Sequence, residues 1–291
     1  MDRREVATKK EKPLRNFEKN RRAVSPAIST VILTSAIVVL LLATIVFANN
    51  FLNGRLGENE FSAMKQFMQT VGLQIDDVAW TIGRTQTIRY ASRFGLVNYE
   101  SAVLNYSLYV YREGSYEPIA NFSTGMILFN MPISRYSMGN NYRERIVPSS
   151  SSFIQEGTSA PVCTVFVIEK VPMNDGNFIR IVAVPSIRIL NSTISAGGEL
   201  KNYVKLYLPL LNAGNHSYRS QSITLEGNGV SVNTEGDVDK IKIEVSMTKS
   251  SLGFDEDFFG FANITEEIDV PNGSIMQFYK SDVTLTLGLH I

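Results

Sequence analysis

The sequence predicts a long N-terminal α-helix with a membrane-spanning inner half and an amphipathic outer half, followed by an all-β, mostly antiparallel, sandwich-like head. Three observations predict it. No charged residue occurs from Ala23 to Gly54. Apolar residues then recur at alternating spacings of three and four from Phe61 to Ile82, which is helical spacing. Beyond about Thr85 the apolar period falls to two, the signature of strands with one wet face.

The uncharged stretch comes first. Its heart, Ala27 to Ala48, is AISTVILTSAIVVLLLATIVFA. At about 1.5 Å per helical residue, some 20 residues cross a hydrocarbon layer of about 30 Å, so this run is long enough to span a bilayer. Ahead of it, residues 1–22 carry nine Lys or Arg against four acids, a charge of +5. The whole chain is neutral, with 28 bases and 28 acids, so the rest carries −5. A basic leader on an acidic body suits two compartments. The positive-inside rule places the N-terminus in the cytoplasm and the body outside. Nucleic acid is not an expected partner, because a binder would carry its positive charge on the folded domain.

Three processing schemes fit the run. A secretory signal would be cut after the small-x-small triplet Val46-Phe47-Ala48, releasing a chain that begins at Asn49, although its apolar part would be unusually long. A plain signal anchor would stay uncut. The third scheme rests on Asn20 to Leu33, NRRAVSPAISTVIL. There a basic pair and a small residue precede Ser-Pro at the mouth of the apolar helix. Ser25 can cap the first free amides, and Pro26 suits the first helical position, where its missing N–H costs nothing.

In these residues the sequence resembles the archaeal type IV pilin family with its class III signal peptides, over about residues 20–50. The resemblance implies cleavage between Ala23 and Val24, after Arg22, by a prepilin peptidase at the cytoplasmic face. The mature chain would then begin at Val24. Bacterial pilins carry Phe and Glu at the first and fifth mature positions, and this chain has Val24 and Ile28 there, which disfavours that branch. The small residues Ser29, Thr30, Thr34, Ser35, Ala36 and Ala43 would let helices approach closely in lipid or in a filament.

After the polar residues Asn49, Asn50 and Asn53, with Gly54 and Gly57 as candidate hinges, helical periodicity resumes. Phe61, Met64, Met68, Val71, Ile75, Val78 and Ile82 form one narrow apolar stripe. A coiled-coil seam would look the same over three heptads, but a stripe of this length more often lies on the sheet of the attached head. Strict alternation marks strands at Ile241 to Thr248 and Asp282 to Ile291. SITLEGNGVSV, Ser222 to Val232, predicts a hairpin turned at Gly227-Asn228-Gly229. Further strands are expected at Asn105 to Glu113, Met126 to Asn130, Cys163 to Val171, Phe178 to Val184 and Val204 to Leu211. The run Pro148 to Ser152 is the best loop.

Chemistry-bearing patterns are scarce. Cys163 is the one cysteine, and its apolar neighbours argue for burial. The two histidines, His216 and His290, are far apart, and no phosphate loop, nucleophile elbow or zinc helix is present. We therefore expect no enzyme, catalytic residue or cofactor. Asp255 and Asp257 are weak calcium candidates that lack the spacing of a calcium loop. Six N-glycan acceptor sequons fall in the portion expected outside, at Asn105, Asn121, Asn191, Asn215, Asn263 and Asn272.

The organisation expected is thus a basic cytoplasmic leader (1–23), a transmembrane or assembly helix (24–54), an amphipathic helix (55–85) and an extracellular β-rich head (86–291). The resemblance implies a pilin-like structural subunit whose partners are the lipid bilayer, prepilin peptidase, other pilin subunits and the pilus assembly machinery. A body of 268 residues after the cut favours a minor or specialised subunit, with a role in adhesion or surface contact. The rival reading is a single-pass, signal-anchored extracellular binding or sensing module that never polymerises.

Overall fold

The computed structural model describes residues 26–196, 199–216 and 221–288. It divides into two units, one ending at Asn53 and the other beginning at Gly54. Helix α1, Pro26–Ala79, runs for 54 residues through Asn49, Asn50 and Gly54, so the expected polar break does not interrupt it. Isolated polar residues and one glycine cost a helix only about 1 kcal/mol each at most, too little to break it.

In the first unit, every described side chain from Ile28 to Leu52 is exposed. The residues so placed include Ile32, Leu33, Val39, Leu40, Leu41 and Leu42. Among the described residues, one helix, near the N-terminus, is long and apolar enough to cross a membrane.

In the second unit the helix is a core element. Phe61, Met64, Met68, Val71, Ile75 and Val78 are all buried, so the stripe lies on the sheet of the head. The helix stops at Ala79, one turn short of the expected Ile82, which is 66% exposed. Gly57 is no hinge. A Cβ there would stand 2.6 Å from the Arg135 carbonyl oxygen, and at Gly72 one would stand 2.7 Å from Val165 Cγ2. Both glycines let α1 approach the head closely. Gly54 has nothing within 4 Å of the same position. Gly54→Ala is therefore expected to raise stability by about 1 kcal/mol through helix propensity. Gly72→Ala is expected to lower it, because overpacking of about 1–3 kcal/mol exceeds that gain. Denaturant midpoints of the two variants check the opposite signs.

The head is an 11-stranded sheet. Its strands are β1 (Thr85–Arg89), β2 (Leu96–Arg112), β3 (Ser115–Pro132), β4 (Tyr142–Val147), β5 (Ile154–Glu156), β6 (Cys163–Glu169), β7 (Phe178–Pro185), β8 (Ile187–Ala196), β9 (Glu199–His216), β10 (Ser222–Met247) and β11 (Thr265–Leu287); a short helix α2 (Glu256–Phe259) precedes the last. Neighbours follow the order β4-β6-β7-β3-β2-β10-β11-β9-β8-β5, with β1 beside β10. All pairings are antiparallel except β11 with β9 and β5 with β8. The sheet curls until β9 lies against β3 and β7. The closure is stitched by Leu211 N donating to Thr124 Oγ1 at 3.0 Å and Tyr99 Oη donating to the Leu211 carbonyl at 2.6 Å.

Two apolar cores result. One fills the inside of the curl, with Leu104, Tyr106, Leu108, Phe166, Val182, Leu206, Ile241, Ile243 and Phe278. The other lies between α1 and the outer face of β3, β6 and β7, with Met64, Met68, Ile127, Phe129, Val165, Val167, Ile179 and Ile181. Strands β6 and β7 are consequently buried on both faces almost throughout. Hence Val165 to Ile168 reads as a continuous apolar run rather than an alternating one. Cys163 is buried, and burial pushes its thiol well above the usual range.

The hairpin expected at Gly227-Asn228-Gly229 does not form. Strand β10 continues through it with a bulge against β11, between Gly227 and Gly229. The glycine serves a close approach instead. Gly227 exchanges backbone hydrogen bonds with Gly83 and Arg84, and a Cβ there would collide with the Val78 carbonyl at the end of α1. The real two-residue turn in this part of the sheet is Glu113-Gly114, both at positive φ (51° and 87°), joining β2 to β3. Positive φ at both positions is the twist-compatible hairpin geometry. Glu-Gly is a weaker sequence signal for it than Asn-Gly.

Candidate functional site

Two regions carry the residues singled out from the sequence, the N-terminal helix and the outer surface of the head. Arg22, Ala23, Val24 and Ser25 lie outside the described residues. Pro26 is the first described residue and already lies in α1, so the start expected from Ser-Pro falls at the edge of the described residues. Along the exposed run, Thr34 Oγ1 donates to the Thr30 carbonyl at 2.9 Å and Thr44 Oγ1 to that of Leu40 at 2.7 Å. These hydroxyls are satisfied within the helix itself. Phe47 and Phe51 stack with ring centroids 6.5 Å apart.

On the head, carboxylates at two depths tie the outer half of α1 to the sheet. Glu60 accepts from Phe94 N at 2.9 Å, Gly95 N at 3.0 Å and Ser92 Oγ at 2.6 Å. Burial alone would raise its pKa, but those donors outweigh it and hold the carboxyl below its usual value. Glu144 on β4 is likewise held low, chiefly by the Lys65 ammonium of α1, with which it forms an ion pair. Further along, Asp76 accepts from Trp80 Nε1 at 2.7 Å and from Arg188 Nη1 at 3.0 Å.

A carboxyl whose pKa is lower folded than unfolded stabilises the fold fully above the unfolded value, about 4.3 for Glu. That stabilisation is lost as pH falls through the folded value. Acid below about pH 4 is therefore expected to loosen residues 57–68 of α1 before the rest of the head. Faster amide exchange there at pH 3 than at pH 6, after correction for intrinsic rates, checks this, and Glu60→Gln should remove part of the pH dependence.

Asp255 and Asp257 have other work. Asp255 caps α2, accepting from Phe258 N at 2.9 Å. Both carboxylates share the Lys170 ammonium, at 2.8 and 3.1 Å. Among the described residues, no group of three or more His, Cys, Asp or Glu side chains is placed to hold a metal ion. The short helix plugs the inner core with Phe258 and Phe259, both fully buried, beside the preceding Phe254. Its last carbonyls are covered by two cations that sequence reasoning missed. Arg143 Nη1 donates to Phe258 O at 2.9 Å, and Arg145 Nη2 to Phe259 O and Gly260 O at 2.7 and 2.6 Å. Burial, reinforced by Arg143, pulls the Arg145 guanidinium down to about 10. Their alternation with Glu144 on β4 (Tyr-Arg-Glu-Arg) is a faint strand signal that could have been found.

The sequons sit on the outside of the head. Asn121, Asn191, Asn215, Asn263 and Asn272 are exposed, and Asn105 is half-buried. Asn105 does not point inward: Leu104 and Tyr106 on either side are the buried residues. Two sequons face each other across β2 and β3. Asn105 is opposite Ser123 and Ser107 opposite Asn121. Ser123 Oγ donates to Asn105 Oδ1 at 3.3 Å, and Asn121 Nδ2 to Ser107 Oγ at 3.4 Å.

No protein-family model matches this chain, and neither a curated protein nor a solved structure matches it.

Proposed function

We propose that this chain is a membrane-inserted, pilin-like structural subunit of archaeal type, a minor or specialised component of a type IV pilus-like surface filament with a role in adhesion. One observation supports it above the others. The apolar surface of α1 is divided: the stripe from Phe61 to Val78 is buried on the head, whereas from Ile28 to Leu52 the apolar side chains are left exposed on every side. Such a surface has to stay out of water. A bilayer meets that need before assembly, and a bundle of like helices meets it afterwards. The sequence Arg22-Ala23-Val24-Ser25-Pro26 supplies a cut that would leave the helix intact, with the leader peptidase removing Met1 to Ala23.

The mature N-terminus tests this directly. Mass spectrometry of the chain from native membranes is expected to find Val24. Asn49 would leave a secreted head and end the filament reading. Met1 would favour the second reading, a signal-anchored extracellular binding module. That reading draws on a specific feature, because docking of the outer stripe onto the sheet leaves no coiled-coil seam on that half of the helix. Loss of filaments from cells lacking the chain, seen by electron microscopy, separates subunit from anchor.

Modification of the head follows from an outside location. Asn105 and Asn121 occupy adjacent strands on one face, so a glycan on one would crowd the other. Glycopeptide mass spectrometry is expected to find Asn121 used in preference to Asn105, and not both on one molecule.

A further inference from the structure

Two loops of the head gather around the first helical turns of α1 that belong to it. The loop 91–95 is clamped by the Glu60 carboxylate through Ser92, Phe94 and Gly95. The loop 133–139 lies against Gly57, where the Arg135 carbonyl makes its close approach. Tyr136 packs on Phe61, with ring centroids 5.0 Å apart. This second loop is also clamped by a carboxylate. Glu169, 2% exposed, accepts from Ser137 Oγ at 2.6 Å and from Met138 N at 2.7 Å.

The two loops meet at Phe94. The guanidinium carbons of Arg93 and Arg135 lie 5.3 and 5.1 Å from its ring centroid, within cation–π range. Both arginines are exposed, and among the described residues neither is in an ion pair. Nearby acids are otherwise engaged, Glu58 with Arg55 and Glu60 and Glu169 with loop amides. Leu96 and Met138 stand out beside them, 41% and 47% exposed. The result is a collar of two cations with no carboxylate partner among the described residues, an aromatic ring and two exposed apolar side chains.

Its place in the chain gives this composition a meaning. Gly57 and Glu60 follow Gly54, the last residue of the uncharged stretch, by three and six positions. That stretch of 32 residues would be about 48 Å long as a helix. A bilayer measures about 40–45 Å with its headgroups, so in an inserted chain the residues that directly follow the stretch, Gly57 and Glu60 among them, would fall near the outer headgroups. Cationic and aromatic side chains are the usual anchors at that depth.

We propose that this collar, with Arg93 and Arg135 as its charged contacts, binds the phosphates of anionic lipid headgroups and holds the head against the outer leaflet before assembly. The inference rests on the membrane insertion proposed above and not on polymerisation. Release of these contacts would accompany withdrawal of the helix from lipid.

The test uses the full chain in nanodiscs of phosphatidylcholine alone or with one-third phosphatidylglycerol. Ser134→Cys places an environment-sensitive fluorophore on the collar, and Cys163 is buried and stays unlabelled. Anionic discs are expected to shield the fluorophore severalfold from an aqueous quencher, with the protection abolished in about 1 M salt, where the Debye length is near 3 Å. Arg93→Gln/Arg135→Gln should abolish it too, while leaving insertion unchanged. Equal quenching in both disc types, or protection that survives the double substitution, overturns the collar with the span intact. Failure of the chain to enter either disc overturns the membrane reading itself, and the collar with it.

Discussion

Met68→Ala is expected to destabilise the head by about 2–5 kcal/mol, read as a lowered denaturant midpoint for loss of near-ultraviolet circular dichroism in the detergent-solubilised chain. Met68 has no exposed surface and lies midway along the part of α1 that covers β3, β6 and β7. Truncation removes its contacts on the sheet side and leaves a cavity that closely packed strands cannot close. Met68→Asp should go further, because it would bury an unpaired carboxylate, and no cooperatively folded head is expected. Gln66→Ala, an exposed position on the same helix, is the control and should change the midpoint by less than about 0.5 kcal/mol. An unchanged midpoint in Met68→Ala would mean that the outer half of α1 is not part of the head's core and serves as a seam between subunits.

The second large effect is expected at Asp175. Arg180 on β7 is 1% exposed, and its guanidinium is held by Asp175 in two bonds of 2.7 and 2.5 Å, with Asn130 Oδ1 at 3.2 Å. The rings of Phe178 and Phe254 lie 5.1 and 5.8 Å away. Removing the carboxylate strands a cation that water cannot reach, at a cost of about 3–5 kcal/mol for a buried pair. The partial exposure of Asp175 places the expectation for Asp175→Ala at the lower end. Arg180→Met should be milder, since Asp175, 28% exposed, can take up water when its partner is gone. Equilibrium unfolding of the two variants decides it, and the reverse order would show that the pair is not controlled by desolvation of the arginine.

These two sites differ in how far a sequence discloses them. The spacing of Phe61, Met64, Met68, Val71, Ile75 and Val78 is visible in the chain, because a helix repeats every 3.6 residues and its buried side must repeat with it. Arg180 sits inside FIRIVAVP, where one cation in an apolar strand looks like the wet face of an alternating pattern. Its burial follows from α1 and the curled sheet covering β7 on both faces, a matter of non-local packing. Asp255 shows the same limit. Its cluster with Asp257 invites a cation in the sequence, and the fold supplies one as Lys170, 85 residues earlier in the chain.

Hydropathy and charge order alone disclose the exposed apolar helix and where it turns amphipathic. They also settle that a strand-rich body follows. These are local properties, carried by the period and sign of neighbouring residues. Strand pairing had to wait for the tertiary structure. So did the passage of β10 through Gly227-Asn228-Gly229, and the discovery that Gly57 and Gly72 are points of approach rather than flexure. A glycine permits a turn and a close contact equally well, and only the presence of Val78, Val165 or the Arg135 carbonyl at a few ångströms decides between them. The collar is the clearest case: Arg93 and Arg135 are 42 residues apart in the chain, and Phe94, Glu60 and Gly57 bring them to one place.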